Sequence, residues 1–322
     1  MQHLLPEGCG VRRPTMDDVP AVVAMLRAKE MAERGRVQIT ETDLRRRWEA
    51  PTCDLNQDFW LFIAPDGNIA ALCSMGRWQP TRLAAGLSVH PAYASLALYP
   101  SAIELALRRA HELVPNVQAD ARVTLNFTCS EKDIVAHQAL EQAGFSYVRS
   151  DWLMQLEMDD SPPISVWPDN VVLRPYTPDL LRTVFEADDE AFQDHWGHVP
   201  GNFEAWRDWV VGRADFDPSL WFIAYAGEEI AGLALCGKLG EEAYVDNLAV
   251  RRPWRRKGLG LALLYHAFGE FYRRGERLVV LHVDSQNLTG ATRLYARAGM
   301  RPVEQYDAFQ LELRAGVELG VE

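Results

Sequence analysis

The feature that most constrains the fold is an internal repeat, because the second half of the chain presents the same segments as the first half in the same order. Matching segments lie roughly 155 to 161 positions apart, which indicates a tandem duplication. One segment in each half reads as a hairpin, with an apolar strand, a turn at Gly67 or Gly227, and a second apolar strand. The matching positions are Val11 and Val172, Phe62 and Phe222, Leu87 and Leu248, and Phe145 and Met300.

The segment between the halves has the composition of a linker. It runs from Asp159 to Asn170, reads DDSPPISVWPDN, and is rich in proline, serine and acidic residues. A chain of 322 residues is long enough for two domains. We therefore predict a first domain over residues 1–158, a linker over 159–170 and a second domain over 171–322.

The order of elements within a repeat is clearest in the second half. Strands and helices alternate there, and each half ends in a closing strand that begins near Trp152 or Ala308. This order predicts an α+β or mixed α/β fold, with a mixed, largely antiparallel central sheet flanked by helices in each domain. The predicted elements of the second half are a strand over Ala243 to Val250, a helix over Gly260 to Arg274, a strand over Arg277 to Val283 and a helix over Ala291 to Ala298.

Composition excludes several classes of partner. The formal net charge of −12 argues against binding to nucleic acid or to an anionic membrane. No apolar run reaches the roughly 18 residues of a membrane span, and the first ten residues do not resemble a signal peptide. The five cysteines form no Cys-x-x-Cys pair, so we expect free thiols in a reducing cytoplasm and neither a zinc site nor a disulfide framework.

The stretch from Leu248 to Leu264, LAVRRPWRRKGLGLALL, places a strand, a glycine turn and a helix start in succession. Free N–H groups at a helix start attract anions, and glycine lets a phosphate approach the backbone closely. The cluster from Arg255 to Lys257 adds positive charge, so a pyrophosphate fits. The third glycine of a dinucleotide fingerprint and the Gly-Lys-Ser/Thr of a P-loop are both absent from the stretch.

Two motifs in this half resemble those of the GNAT superfamily of N-acetyltransferases. Arg255-x-x-Gly258-x-Gly260 resembles the acyl-CoA pyrophosphate motif of that family. The segment SQNLTGATRLYARAGM, Ser285 to Met300, resembles its second signature, with methionine in place of the usual phenylalanine. The resemblance implies two tandem GNAT-like domains and acetyl-CoA as co-substrate. The implied cofactor-binding residues are Leu248, Ala249, Val250, Arg255, Arg256, Lys257, Gly258, Leu259, Gly260, Leu261 and Asn287.

The same resemblance implies roles for two side chains. Asn287 would contact the pantetheine arm, although an asparagine there can also serve only as a helix cap or turn residue. Tyr295 would protonate the departing thiolate, although it can also be a packed aromatic residue. In this family a backbone N–H of the fourth strand, here near Leu248 to Val250, stabilises the oxyanion.

The base that deprotonates the acceptor is predicted to be Asp246, with Glu241, Glu242 or a water chain as alternatives. Strand alternation puts Asp246 on the same face as Leu248, Val250 and Tyr244. It can equally be a charged strand residue that pairs with a neighbour. For the acceptor pocket we single out Asp194, His195, Trp196 and Tyr244, while the tryptophans near them can also be core. Without a third ligand at suitable spacing, the histidines do not predict a metal site.

The first half lacks the residues that carry this chemistry. It has no Arg-x-x-Gly-x-Gly, Pro100 lies in the expected turn, and Lys132 and Leu140 stand where Asn287 and Tyr295 stand. We therefore predict an acyl-CoA-dependent N-acetyltransferase with its site in the second half. Its acceptor would be a small-molecule amine or a peptide, and the acidic charge suits a cationic one. A non-catalytic acyl-CoA-binding protein is the alternative, and either a monomer or a homodimer is compatible with the sequence.

Overall fold

The computed structural model describes residues 5–50, 53–79, 81–212, 216–240, 242–287 and 289–320. The chain separates into two compact units. Unit 1 combines Met1–Ser150 with Tyr306–Leu319, and unit 2 combines Asp151–Gln305 with Gly320–Glu322. Among the described residues, no helix combines the length and the apolar character needed to cross a membrane.

Unit 1 is built on a sheet whose strands follow the order β1-β2-β3-β4-β5-β12. The pairing is antiparallel except between β4 and β5, which are parallel. The elements of the first half are β1 (Gly10–Arg12), α1 (Val19–Arg34), α2 (Glu41–Glu49), α3 (Leu55–Asp58), β2 (Phe59–Ile63), β3 (Ile69–Gln79), β4 (Arg82–Val89), α4 (Tyr99–Leu113), β5 (Val123–Ser130), α5 (Ile134–Gln142) and β6 (Ser146–Glu157).

Unit 2 repeats this plan with the strand order β6-β11-β10-β9-β8-β7. Its one parallel pair among the described strands is β10 with β11. The elements of the second half are β7 (Val171–Arg174), α6 (Leu181–Phe192), α7 (Phe203–Val210), β8 (Trp221–Ala226), β9 (Glu229–Leu239), β10 (Glu242–Val250), α8 (Leu259–Arg273), β11 (Leu278–Asp284), α9 (Ala291–Arg297) and β12 (Arg301–Arg314). The predicted mixed fold is confirmed, and the strands and helices predicted for this half are found with ends that differ by one residue at most.

The closing strands of the two halves are exchanged between the units. Residues 306–314 of β12 pair with β5 in unit 1, and residues 151–157 of β6 pair with β11 in unit 2. The compact units therefore differ from the contiguous segments 1–158 and 171–322 that the sequence suggested. Both closing strands have a similar apolar pattern, and such a pattern does not specify the strand with which each will pair. Residues 159–170 contain no helix or strand.

The sheet of unit 2 is covered on both faces. On one face α8 packs apolar side chains that recur three and four positions apart, among them Leu264, Phe268 and Phe271. On the other face α6 and α7 cover β8 and β9, with Val184 and Ile223 fully buried. Burying one such side chain stabilises the fold by about 1.5–3 kcal/mol. This packing holds β10 between two helical layers and thereby positions the site.

Candidate functional site

The two parallel strands of unit 2 separate after a short common stretch. In the described part of the chain, β10 and β11 pair at Ala243 with Val279 and at Tyr244 with Val280, whereas β10 continues to Val250 and β11 to Asp284. Past Tyr244 the edge of β10 that faces β11 has no paired strand residue among those described. This opening leaves backbone N–H and C=O groups available to a ligand.

A β-bulge in β10 marks the start of the opening. Val245 pairs with Cys236 and Asn247 with Leu235, so Asp246 is the extra residue. Asp246 is exposed and lies in the strand that the sequence predicted over Ala243 to Val250. The face assignment made from alternation is wrong, because the bulge shifts the alternation by one residue. Val245 and Leu248 consequently pack in the same core cluster, under α8.

Tyr244 therefore does not share a face with Leu248 and Val250. It lies over Gly237 on the neighbouring strand, where a Cβ would come within 2.6 Å of the Tyr244 hydroxyl. Cys236 packs toward α8, and Gly237, the next residue of β9, lies on the opposite face of the sheet. Tyr244 thus belongs to the side of the sheet covered by α6.

The turn that leads into α8 has the geometry of an anion site. Arg256 and Gly258 both have positive φ, 61° and 85°, and the helix starts without a side-chain cap at Gly258. A Cβ on Gly258 would meet no atom within 4 Å. The first N–H groups of α8 are therefore open to a ligand that carries phosphate. Arg256 and Lys257 are exposed beside them.

Gly260 has a different role from Gly258. A Cβ on Gly260 would stand 3.0 Å from Cδ2 of Leu294 and 3.7 Å from Cγ2 of Val250. The absence of a side chain lets the start of α8 approach α9 closely. Gly258 keeps the turn open, and Gly260 serves packing.

The Arg255 side chain is held by protein groups. Its Nε donates to the Val250 carbonyl at 2.9 Å, and its Nη2 donates to the Ala191 carbonyl at 2.9 Å. Its Nη1 donates to the Asp194 carboxylate at 2.5 Å. Hydrogen bonds from Arg252 and Arg255 hold the pKa of Asp194 well below its usual range. These contacts tie the turn to the end of α6 and to Asp194 just after it, and the cofactor role of Arg255 stays a prediction.

The Asn287 side-chain oxygen forms a turn before α9, whose N-cap residue is Gly290 and which has no side-chain cap. Oδ1 accepts hydrogen bonds from the Thr289 N–H at 2.9 Å and the Ala291 N–H at 3.3 Å. The turn alternative considered from the sequence is therefore present. Its Nδ2 makes no hydrogen bond to the described residues, so this group can still donate to a ligand.

Tyr295 is 8% exposed and packs in the core cluster that also contacts Leu248 and Val250. Burial raises the pKa of its phenol to about 12. The phenol is therefore protonated at neutral pH, which is the form that an acid needs.

The segment after α6 contributes mostly packing. The His195 ring packs against Phe192 in a tilted arrangement with ring centroids 4.4 Å apart, and burial lowers the pKa of His195. Trp196 is half-buried, and Trp206 packs against Trp221 at 6.2 Å. Among the described residues, no three of the histidine, cysteine and acidic side chains are placed to hold a metal ion.

Asp188 on α6 is a polar residue of the site that sequence reasoning missed. It is 5% exposed, and its Oδ2 accepts a 2.6 Å hydrogen bond from Nδ2 of Asn247, directly after the bulge. Burial raises the pKa of Asp188 to about 7. Its sequence signal was its place on the apolar face of α6, with Val184, Ala187 and Ala191.

Unit 1 shares part of this geometry, because β4 also runs past its last pair with β5, Ala85 with Phe127, and α4 also starts without a side-chain cap. It differs in the bulge and in the groups around the helix start. Its β4 runs in register with β3 from Val89 to Leu83 without a bulge. Helix α4 begins at Tyr99, whose hydroxyl donates to Asp133 Oδ2 at 2.5 Å, and Asp133 caps α5. This bond joins the two helix starts that correspond to those of α8 and α9. Leu140, which aligns with Tyr295, is fully buried.

Comparisons with known proteins establish the family of the chain. Residues 181–300 match the model of the acetyltransferase (GNAT) family. A solved GCN5-related N-acetyltransferase from Sphaerobacter thermophilus is 32% identical, with a TM-score of 0.85, 99% of this chain covered and 100% of that chain. The chain therefore belongs to the GNAT family of acetyltransferases.

Two further relatives add to the picture. A tandem GNAT protein from the clavulanic acid biosynthesis pathway, solved without AcCoA, has a TM-score of 0.69 at 17% identity over 96% of this chain and 100% of its own, which shows a shared fold. The chloroplastic GCN5-related N-acetyltransferase 4 of Arabidopsis thaliana is 44% identical over 62 residues, or 19% of this chain. The matched region spans about a fifth of that relative, 21% of its length.

Proposed function

We propose that the protein transfers an acetyl group from acetyl-CoA directly to an amine, preferably of a small molecule, at a site in unit 2. The observation that carries this proposal is the coincidence in one unit of the β10 bulge, the opening toward β11 and the uncapped start of α8 beside Gly258. Unit 1 has the same strand order and a similar opening past Ala85, but β4 has no bulge at the matching position and no glycine directly precedes α4.

The residues around the opening fit an acyl-CoA. The start of α8 would hold the pyrophosphate through backbone N–H groups, and Arg256 and Lys257 would add charge. Asn287 would donate through Nδ2 to the pantetheine arm. The bound acyl-CoA supplies the thioester carbonyl, whose oxygen would accept an N–H from β10 near Leu248 to Val250. One such donor contributes about 2.7–4 kcal/mol to transition-state stabilisation in other enzymes.

Two side chains would move protons. Asp246, exposed at the bulge, is the proposed base that takes a proton from the acceptor amine or from a water beside it. Tyr295 would donate its phenolic proton to the departing sulfur. Of the alternative bases, Glu242 is only 1% exposed, which removes it from direct reach of an acceptor. Glu241 lies outside the described residues.

The nature of the acceptor rests on charge. A net charge of −12 and the acidic residues near β10, Asp188, Asp189 and Asp246, favour a cationic amine. Tyr244 lies on the same side of the sheet as α6 and would contact this acceptor. All five cysteines are free thiols, and a cytoplasmic location stays a prediction.

The direct test is release of CoA from acetyl-CoA, measured with simple amines, aminoglycosides, and peptides with free N-termini or lysines. We expect turnover with at least one amine, and acyl-CoAs of increasing chain length define the donor. Acetyl-CoA binding without turnover on any acceptor would favour a non-catalytic binding protein. Failure to bind acetyl-CoA at all would contradict the proposal.

A further inference from the structure

Asp188 is a buried carboxylate whose hydrogen bonding is incomplete. Its Oδ2 accepts the bond from Asn247, while its Oδ1 is buried and has no hydrogen bond among the described residues. The indole N–H of Trp206 is near enough to lower the pKa of this carboxyl, but it has no hydrogen bond of good geometry among the described residues. A buried charge with one bond lowers stability, so such a residue indicates a role other than packing.

The bond places Asp188 in contact with the bulge. Directly after the extra residue Asp246, regular pairing of β10 with β9 resumes at Asn247, which lies opposite Leu235. A bulge is a local departure from regular pairing and needs contacts that favour it over a regular strand. The Asn247 side chain, held from α6, provides such a contact.

Unit 1 serves as an internal comparison. Thr15 and Thr177 occupy matching positions, because each precedes the 3₁₀ turn that leads into α1 or α6. The residue eleven positions after Thr15 is Leu26, and the residue eleven positions after Thr177 is Asp188, so these two align. The match of Leu87 with Leu248 aligns Gly86 with Asn247. Leucine and glycine cannot form the bond, and in unit 1 the corresponding strand has no bulge. The carboxylate, the amide and the bulge are thus present together in unit 2 and absent together at the matching positions of unit 1.

We propose that Asp188 is a positioning residue for acyl transfer, which fixes the bulge of β10 through Asn247 and so orients the N–H groups that face the thioester oxygen. This inference rests on the proposed function. Asp188 is distinct from the proposed base Asp246, because its buried carboxylate acts on the strand and does not touch the acceptor.

Ionisation of Asp188 couples this role to pH. Burial raises its pKa to about 7, the bond from Asn247 lowers it, and the negative charges of Asp189 on α6 and Asp246 on β10 raise it. The side chains that surround Asp188 from the neighbouring elements are the neutral Trp206 of α7 and the apolar Leu233 and Leu235 of β9. Asp189 also lies 3.6 Å from the His198 imidazole. The ionised carboxylate is the stronger acceptor for Asn247, so kcat should fall as the pH drops through about 7.

The test compares Asp188→Asn and Asp188→Leu in the full chain with Glu186→Gln, a matched loss of a carboxylate on the exposed face of α6. At saturating acceptor we expect Asp188→Asn to lower kcat about tenfold and to flatten its pH dependence near 7. We expect Asp188→Leu to lower kcat on the order of a hundredfold, as when an oxyanion donor is lost. Acetyl-CoA affinity should change less than about twofold in both variants, since Asp188 does not touch the cofactor.

A second readout does not depend on turnover. The backbone amide resonances of residues 245–248 should shift in Asp188→Leu and stay unchanged in Glu186→Gln, because the bulge depends on Asp188. Unmoved resonances in Asp188→Leu would overturn the inference even if the proposed function fails. If that variant does not fold, Asp188→Asn with wild-type kcat and pH profile would overturn it.

Discussion

At the residue scale, the two glycines before and within the first turn of α8 have separate tasks. Gly258 has φ of 85° and open space at its Cβ position, while Gly260 faces Leu294. The sequence alone treats both as close-approach glycines of one motif. The structure assigns access for the phosphate to the first and contact between helices to the second.

Gly258→Glu should therefore abolish acetyl-CoA binding in a protein that remains folded. The added carboxylate would occupy the space of the phosphate and repel it, whereas strain at this positive φ costs about 1–2 kcal/mol. Gly258→Asn is the matched control, because asparagine tolerates this conformation without adding charge. Calorimetry gives the affinity and thermal unfolding the stability. A folded Gly258→Glu protein with unchanged affinity would refute this role of the turn.

Tyr295→Phe should lower kcat by about tenfold to a thousandfold, the loss of a general acid. The phenyl packing is kept, so affinity for acetyl-CoA should hardly change. Because burial raises the pKa of this phenol to about 12, the phenol stays protonated from about pH 6 to 10, and the deficit should be the same across that range. Tyr265→Phe is the control, because it removes the hydroxyl of another tyrosine, on α8, whose hydrogen bond to the Arg297 carbonyl is exposed. If both variants turn over acetyl-CoA at the same rate, Tyr295 contributes to packing and is not the general acid.

At the element scale, periodicity and glycine positions were sufficient to place the helices and strands around the site. α8 shows its apolar spacing in the sequence, and Gly299 marks the end of α9. The bulge had no local signal. It becomes visible only when β10 from Glu242 to Val250 is compared with β4, which is one residue shorter. Asp188 was missed for a related reason, since its importance depends on contact with that bulge.

One chain should bind one acetyl-CoA. In unit 1 the bond from Tyr99 to Asp133 joins the helix starts that would have to receive the cofactor, and β4 is regular. Titration calorimetry should give a stoichiometry of one per chain, falling to zero in Gly258→Glu. Two molecules per wild-type chain, or residual binding in the variant, would contradict the one-site prediction.

At the scale of the whole molecule, the exchange of closing strands decides which unit each residue stabilises. Phe309 on β12 is 2% exposed in the core of unit 1, and Met154 on β6 is 2% exposed in the core of unit 2. The repeat predicted two halves of similar plan. It could not predict the exchange, because β-strand pairing is decided by tertiary packing rather than by the strand's own pattern.

Phe309→Ala and Met154→Ala form a matched pair that tests the exchange. Each should lower the free energy of unfolding by about 2–5 kcal/mol through the cavity it leaves. Hydrogen exchange should show protection lost in β5 for Phe309→Ala and in β11 for Met154→Ala. Loss of protection in the half of the sequence that carries the substitution would instead support contiguous domains.

The exchange also sets the order in which the protein can be completed during synthesis. The last strand of unit 1 leaves the ribosome only after the residues from Asp151 to Gln305. At about 5–20 residues per second this delay is roughly 8 to 30 s, during which β5 has an open edge in the nascent chain. Phe127 and its neighbours on β5 are then available to chaperones or to other nascent chains. Unit 1 should accordingly gain its final protection late in synthesis, although most of it is made first.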